Sequence, residues 1–401
     1  MRATQEALLA EMRRWGYRYV VTPILENLDS LALGLGAEQL RRLFKLTDSD
    51  GSVLALVGER TVPVARMTAG KLRSAPLPLR LCYAAPVLTN DPARFSQRRE
   101  LHQVGAELIG ASGPVADAEV IAMAVRCLDA AGLRDYQVEV GHSEFFQGLL
   151  EGVEMAPEAK AGIKSALGRR DFVTLEALLE ATPLRGAEQE LLLRFPALRG
   201  GRQILDAAGA LVRNRRSEAA LEELARVHDL LTVHGLGESV SLDLGAIRDF
   251  DYYTGVIFEG YGPDLGQPVA QGGRYDHLLA GFGRAAPATG FMIHLDLVGE
   301  LLARGHRGPD LTTLDAAVGW TGPGLAPALR LGASLRMFGL RAVVDTQARG
   351  LEEARGWRRE LGARHLVHAG DELMVFDEGD GRARRLRPEQ VVARIAGTRF
   401  E

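Results

Sequence analysis

Between Glu144 and His234 the chain turns to helical sequence rich in Leu, Ala, Glu and Arg, while strand-like segments lie on both sides of that block. Phe172 to Leu179 and Ala219 to Leu231 show the helical character most plainly, and no strand signal interrupts the block. Strands that stop before it and resume after it, at Ser239 to Leu244, predict one sheet broken by an insertion. The expected fold is therefore α+β: an antiparallel sheet with flanking helices over 1–143 and 235–304, carrying a helical insertion over 144–234. A Gly-, Pro- and Thr-rich linker over 305–313 follows, and an alternating β/α pattern then predicts a small α/β domain over 314–401. A chain of 401 residues exceeds the usual single core, which agrees with two or three domains.

Within the sheet-forming part, Leu8, Met12 and Trp15 follow i, i+4, i+7 spacing and predict a helix from about residue 4 to 15, ended by Gly16. Tyr17 to Val21 reads as a strand that Pro23 stops or confines to an edge, because proline has no amide hydrogen for a ladder. Leu43 to Thr47 and Val53 to Val57 flank Asp48-Ser49-Asp50-Gly51, a strong turn signal, and predict an antiparallel hairpin. Further strands are expected at Arg80 to Tyr83, His102 to Ile109 and Tyr136 to Val140, with a helix from about Pro114 to Ala131.

Charge and composition remove several classes of function. Lys and Arg number 48 against 52 Asp and Glu, so the net charge of −4 gives no electrostatic case for general nucleic-acid binding. Cys82 and Cys127 are too few for a disulfide framework or a Cys-rich zinc site, and nine histidines lie scattered without ligand spacing. Neither a metal nor another cofactor is expected. The first residues are charged and amphipathic, and no apolar run approaches membrane-spanning length, so a soluble cytoplasmic chain without membrane association is expected. Walker-type loops, His-Glu-x-x-His, Cys-x-x-Cys and Gly-x-Ser-x-Gly elements are absent.

Functional chemistry concentrates in Ile247 to Glu259, IRDFDYYTGVIFE. Tyr252 and Tyr253, set beside Arg248, Asp249 and Asp251, suit a pocket for a small hydrogen-bonding ligand; they equally suit an edge strand whose rings cover core. Gln271 to Asp276, QGGRYD, offers a second wall, although its paired glycines alone read as a turn. Glu59, Glu107 and Asp251 sit in or beside strands, where an unpaired buried carboxylate is costly, so each is either exposed or matched to a donor. With Thr61, Gln103 and the tyrosines they suit a ligand bearing an ammonium group and ring nitrogens. His102 reads as a structural histidine rather than a base.

The same segments carry a resemblance. Arg248 to Glu259, Gln271 to Asp276 and Leu101 to Gly110 (LHQVGAELIG) resemble the histidyl-tRNA synthetase catalytic domain, a class II synthetase fold, over about residues 5–303. Trp15-Gly16-Tyr17 with Thr22 to Glu26 resembles the first class II motif, which in that family helps build the dimer interface. The final domain resembles the family's anticodon-binding domain. The resemblance implies that Glu59, Thr61 and Gln103 receive the amino group of histidine, that Glu107, Tyr252, Tyr253 and Tyr275 surround its imidazole, and that Arg248 lies near its carboxylate.

The nucleotide half departs from that pattern. Thr89 stands where the family has the arginine that holds the α-phosphate, Asp91 replaces a glutamate, and Ser96-Gln97 replaces a Gly-Arg. Val57 replaces an arginine of the family's Leu-Arg-Pro-Glu run, and Leu297 replaces the arginine of the third motif. Removing one positioned electrostatic contact from a transition state commonly costs on the order of 3 kcal/mol or more. Neither threonine nor leucine substitutes for a guanidinium fork. Amino-acid activation is therefore expected to be lost, and no catalytic residue is assigned.

A chain that keeps the amino-acid site and loses the nucleotide site resembles the regulatory-subunit family of ATP phosphoribosyltransferase. This implies a non-catalytic subunit of histidine biosynthesis, required by a short catalytic subunit and binding histidine for feedback inhibition. It also implies a homodimeric core inside a larger hetero-oligomer, with no tRNA bound. The Gly-x-x-Asp-x-x-Pro lead-in usual in these relatives is missing. The alternative is a divergent histidyl-tRNA synthetase or another amino-acid-activating ligase, for which Arg99 and Arg248 speak. A nucleic-acid-binding module is a third reading, but Arg358-Arg359 and Arg384-Arg385 are short runs that suit solvated faces.

Overall fold

The computed structural model describes residues 1–90, 98–151, 154–168, 171–182, 186–194, 198–246, 252–304, 314–377 and 383–397. They form two compact units, Met1–Pro309 and Asp310–Glu401.

In the first unit, α1 (Arg2–Arg14) turns Leu8, Leu9 and Met12 into the core. Gly16, at φ +83°, then leads to β1 (Arg18–Tyr19). Next come β2 (Leu25–Asn27), α2 (Leu28–Ala32), α3 (Ala37–Arg41), β3 (Lys45–Thr47) and β4 (Val53–Leu56), whose strands form a separate sheet in the order β2-β4-β3. The expected hairpin is present as β3 and β4, with Leu46 opposite Leu54. Its turn is closed by Gly51 N donating to Asp48 O, and the Asp50 carboxylate accepts from Ser52 N.

α4 (Thr61–Ala69), β5 (Leu79–Leu88), β6 (Glu100–Ile109), α5 (Pro114–Ala130) and β7 (Gln137–His142) follow. The helical block contains α6 (Ser143–Leu149), α7 (Pro157–Gly168), α8 (Phe172–Glu180) and α9 (Ala187–Arg194), then α10 (Gln203–Gly209) and α11 (Arg215–Val233). One expectation fails here, because Arg199–Gly200 forms β8 within the block. Two residues are too few to carry an alternating pattern; the strand exists because β9 (Val240–Asp243) offers it an edge, with Gly200 opposite Leu242. α11 is capped by Asn214, whose side chain accepts from Ser217 N, and buries Leu224, Val227 and Leu231.

β10 (Val256–Tyr261), β11 (Ala270–Arg274), β12 (Ala288–His294) and α12 (Leu295–Arg304) complete the unit. The large sheet has nine strands in the order β1-β5-β6-β12-β11-β10-β7-β9-β8. Its central strands are antiparallel, with parallel pairs only at β1–β5 and β7–β9. Because side chains alternate across a strand, Val104, Ala106 and Leu108 of β6 join the core with Leu8, Met12 and Val120. Gln103 and Glu107 belong to the other face, which the small sheet, α4 and the tyrosines cover.

The paired glycines Gly272 and Gly273, which alone read as a turn, lie inside β11. Closeness to neighbouring rings accounts for them: a Cβ on Gly272 would strike the Phe258 ring, and one on Gly273 would come 2.9 Å from Tyr253 Cε1.

The second unit contains β13 (Ala316–Trp320), α13 (Leu325–Met337), β14 (Ala342–Val344), α14 (Leu351–Glu360) and β15 (His365–Ala369). β16 (Leu373–Asp377), β17 (Ala383–Arg385) and α15 (Pro388–Gly397) follow. Its sheet runs β14-β13-β15-β16-β17, parallel at β14-β13-β15 and antiparallel beyond. Leu331 and Leu335 of α13 and Val391 and Ile395 of α15 fill one face, and Ala354 of α14 covers the other. Glu378-Gly379-Asp380-Gly381, a stretch whose sequence reads as a hairpin turn, falls outside the described residues. Among the described residues, no helix is long and apolar enough to cross a membrane.

Candidate functional site

The covered face of β6, β12 and β5 opens into a cleft. Glu59, Thr61, Gln103, Tyr252, Tyr253 and Tyr275 all line it.

Glu59 ends the segment before α4, and its carboxylate accepts from Thr61 N at 2.8 Å and Val62 N at 2.9 Å. A helix start leaves its first amides without partners inside the helix, so this carboxylate is held by the fold itself. Burial pushes Glu59 up to about 7, against the pull of those amides.

Thr61 Oγ1 donates to Glu107 Oε1 at 2.9 Å, and the Tyr275 hydroxyl donates to Glu107 Oε2. Glu107 thus sits behind the wall, joining two lining residues from beneath. Burial raises it to about 8, while the Tyr275 and Thr61 hydrogen bonds oppose the shift and the charge of Glu59 adds to it. Its carboxylate lies over Gly290 of the neighbouring strand, where a Cβ would collide with Oε2. The room for Glu107 is therefore made by a missing side chain.

Gln103 is 3% exposed, and its Oε1 accepts no hydrogen bond. A buried carbonyl without a donor costs roughly 1–3 kcal/mol, so a donor supplied by a ligand would recover that loss. Around it the tyrosines pack against one another: the Tyr252 ring lies 4.9 Å from Tyr253 and meets Tyr275 edge-on at 5.8 Å. Burial, first of all, raises Tyr252 and Tyr275 far above the usual phenol range, so both remain donors. Arg248 and Asp251 lie outside the described residues, as do Asp91, Ser96 and Gln97.

The remaining positions part company. Thr89 lines the cleft beside Leu88 and Val87, whereas Val57 is fully buried in the core with Leu43 and Leu81. Leu297 lines a separate cleft with Arg98, Asp296 and Arg304. Arg99, which favoured the enzyme alternative, holds its guanidinium 5.6 Å from the centre of the Phe44 ring. His102 donates its backbone amide to Asp296 at 2.7 Å, a structural placement. Among the described residues, no group of three or more His, Cys, Asp or Glu side chains could hold a metal ion.

Sequence reasoning did not single out Tyr83, Arg60 or Arg42, all of which line the cleft. Tyr83 is fully buried on β5, seated against Gly105 of β6, where a Cβ would strike its ring. That pairing of a bulky residue with a strand glycine was its available signal. Arg60 spends its guanidinium on Thr22 O, Thr22 Oγ1, Pro23 O and Pro86 O, lashing the segment after β1 to the end of β5.

A largely antiparallel sheet bearing a cleft lined by acceptors and tyrosines is the arrangement of a class II aminoacyl-tRNA synthetase type domain. The histidyl-tRNA synthetase family matches residues 1–298. An ATP phosphoribosyltransferase regulatory subunit from Moorella thermoacetica is 42% identical over 354 residues, covering 88% of this chain and 90% of that protein. A solved structure from Bacillus halodurans, described as an ATP phosphoribosyltransferase regulatory subunit/histidyl-tRNA synthetase, superposes with a TM-score of 0.77 at 30% identity. It covers 92% of this chain and 93% of its own. Histidyl-tRNA synthetase from a Nostoc species shares the fold, with a TM-score of 0.83 at 20% identity over 99% of this chain and 96% of that one. The chain belongs to the histidyl-tRNA synthetase-like family of ATP phosphoribosyltransferase regulatory subunits.

Proposed function

We infer that the cleft is a receptor for free histidine, through which this chain controls a short-form ATP phosphoribosyltransferase catalytic subunit in the first step of histidine biosynthesis. As a member of its family the chain is a non-catalytic regulatory subunit, and its role is to make the catalytic chain competent and responsive to end product. The observation that carries the reading is the unpartnered, buried Gln103 Oε1 in the same cleft wall as the Glu59 carboxylate. An ammonium group supplies a donor to the Gln103 carbonyl and a positive charge to the Glu59 carboxylate. Tyr252, Tyr253 and Tyr275 supply hydroxyls for the two ring nitrogens, and Glu107 acts from behind the wall by holding the Tyr275 hydroxyl and Thr61. Arg248 is assigned to the carboxylate on resemblance alone.

Feedback requires a difference in histidine affinity between active and inactive assemblies, so pocket closure is coupled to the partner interface. The test is activity of the purified complex against histidine. Glu107→Ala and Tyr253→Phe are expected to relieve inhibition while the subunits still co-purify; unchanged sensitivity in both removes the pocket as sensor. A synthetase reading is tested by histidine-dependent pyrophosphate exchange, expected to be absent, and tRNA binding by gel shift at physiological salt, also expected to be absent.

A homodimeric core is proposed at the segment from β1 to β2, the end strands of the two sheets, where Tyr19, Val21, Ile24 and Leu25 are all exposed. Light scattering of the chain alone checks it, and a monomer rejects it. The soluble cytoplasmic setting remains part of this reading.

A further inference from the structure

We propose that Arg60 and Arg66 tie the histidine-holding turn to the face between two copies of this chain, so that histidine occupancy and self-association strengthen each other. This rests on the cleft being a histidine receptor and on the segment from β1 to β2 being the dimer face, and it identifies the residues that connect the two.

The two arginines stand at the ends of α4, the helix that opens on the turn Glu59 to Thr61. Arg60 is buried between Glu59 and Thr61 in the chain, and its guanidinium donates to Pro23 O at 2.8 Å, to Thr22 Oγ1 at 3.2 Å, to Thr22 O at 3.3 Å and to Pro86 O. Arg66, in the last turn of α4, donates to the buried Glu26 carboxylate at 2.6 Å. Between these anchors Val57 N donates to Ile24 O at 2.9 Å. Thr22 to Glu26 is therefore held at both ends by the helix whose start holds Glu59.

The segment so held has an exposed apolar side, Val21, Ile24 and Leu25. Tyr19 to Leu25 contains no charged side chain, so it offers a charged partner nothing to pair with, whereas two copies meet there without like-charge repulsion. Ordering is then common to both events. Histidine restrains Glu59 and Thr61, the arginines pass that restraint to Thr22, Pro23 and Glu26, and the entropy cost of ordering the segment is incurred once rather than twice. Linkage is reciprocal, so the paired chain holds histidine more tightly than the single one.

Sedimentation velocity of the full chain over a dilution series, with and without saturating histidine, tests the connection. Wild type is expected to dimerise about 10-fold more tightly with histidine, and amide exchange over residues 21–27 is expected to slow. Arg66→Gln should still dimerise and still bind histidine, but with the linkage reduced to about 3-fold; Arg60→Lys, which reaches fewer of the four oxygens, should reduce it likewise. Arg66→Gln alone decides if Arg60→Lys does not fold. A wild-type dimer unaffected by histidine, or the full 10-fold linkage in Arg66→Gln, overturns the connection and leaves both the receptor and the dimer standing. A wild-type chain that binds histidine as a monomer overturns the dimer face and this inference with it, and one that dimerises without binding histidine overturns the receptor.

Discussion

At one end of the cleft Glu59, Thr61, Glu107 and Tyr275 share one hydrogen-bonded cluster, whereas at the other Thr89 is set among Leu43, Val87 and Leu88. The first end draws on the fold: a helix start holds Glu59, and strand glycines make room for Glu107 and Tyr83. Glu59, Thr61, Glu107 and Tyr275 hold one another in place even when no ligand is bound. The second end is set by the identity of single side chains, and a threonine can stand in its wall without disturbing the sheet. The difference teaches that one half of an inherited site can be lost by substitution while the other half survives as part of the architecture.

Four experiments break or sharpen this contrast. Val57→Arg should cost about 4 kcal/mol of stability in urea unfolding, because the fully buried side chain would carry an unpaired charge into the core. Unchanged stability would mean that the position opens to the cleft and that the second end is less sealed than described. Glu59→Gln should weaken histidine about 100-fold, about 2.7 kcal/mol, in calorimetry, since the charge is lost and only one of the two helix amides keeps an acceptor oxygen. Retained affinity would remove the distinction between the two ends.

Thr89→Arg, in the cleft wall, should give the chain a measurable ATP affinity that wild type lacks, read by nucleotide fluorescence titration. No gain would show that more than this side chain was lost.

The smallest effect concerns pH. Burial keeps Glu59 and Glu107 protonated up to about 7 and about 8, and an ammonium group beside Glu59 favours the ionised form of that carboxylate. Histidine binding should therefore release protons and tighten by several-fold from about pH 6.5 to 8, measured by calorimetry in two buffers of different ionisation enthalpy. In the empty chain the folded state holds protons that the unfolded carboxylates release above about 4.5, so stability should fall as pH rises from there to about 8. Proton uptake on binding would contradict the assignment of ammonium to these acceptors.

Much of the fold was legible because its signals are periodic. Leu8, Met12 and Trp15 announced α1, and Asp48 to Gly51 announced the hairpin. β8 escaped because two residues carry no period, and the glycines of β11 misled because a turn and a crowded strand both require a missing side chain. For the site, the segments holding Glu59, Gln103 and Tyr275 were identifiable by chemistry and resemblance, but their convergence depends on the pairing of β6 with β12, which no local pattern contains. Glu107's place behind Thr61 was equally hidden. Arg42 was invisible for another reason: four residues after Glu38, it reads as one more solvated helix pair.

The central claim is most directly tested by titrating the folded chain with histidine and, separately, with magnesium ATP in one calorimeter. The account predicts saturable heat for the amino acid and none for the nucleotide. A nucleotide that binds while histidine does not would contradict it.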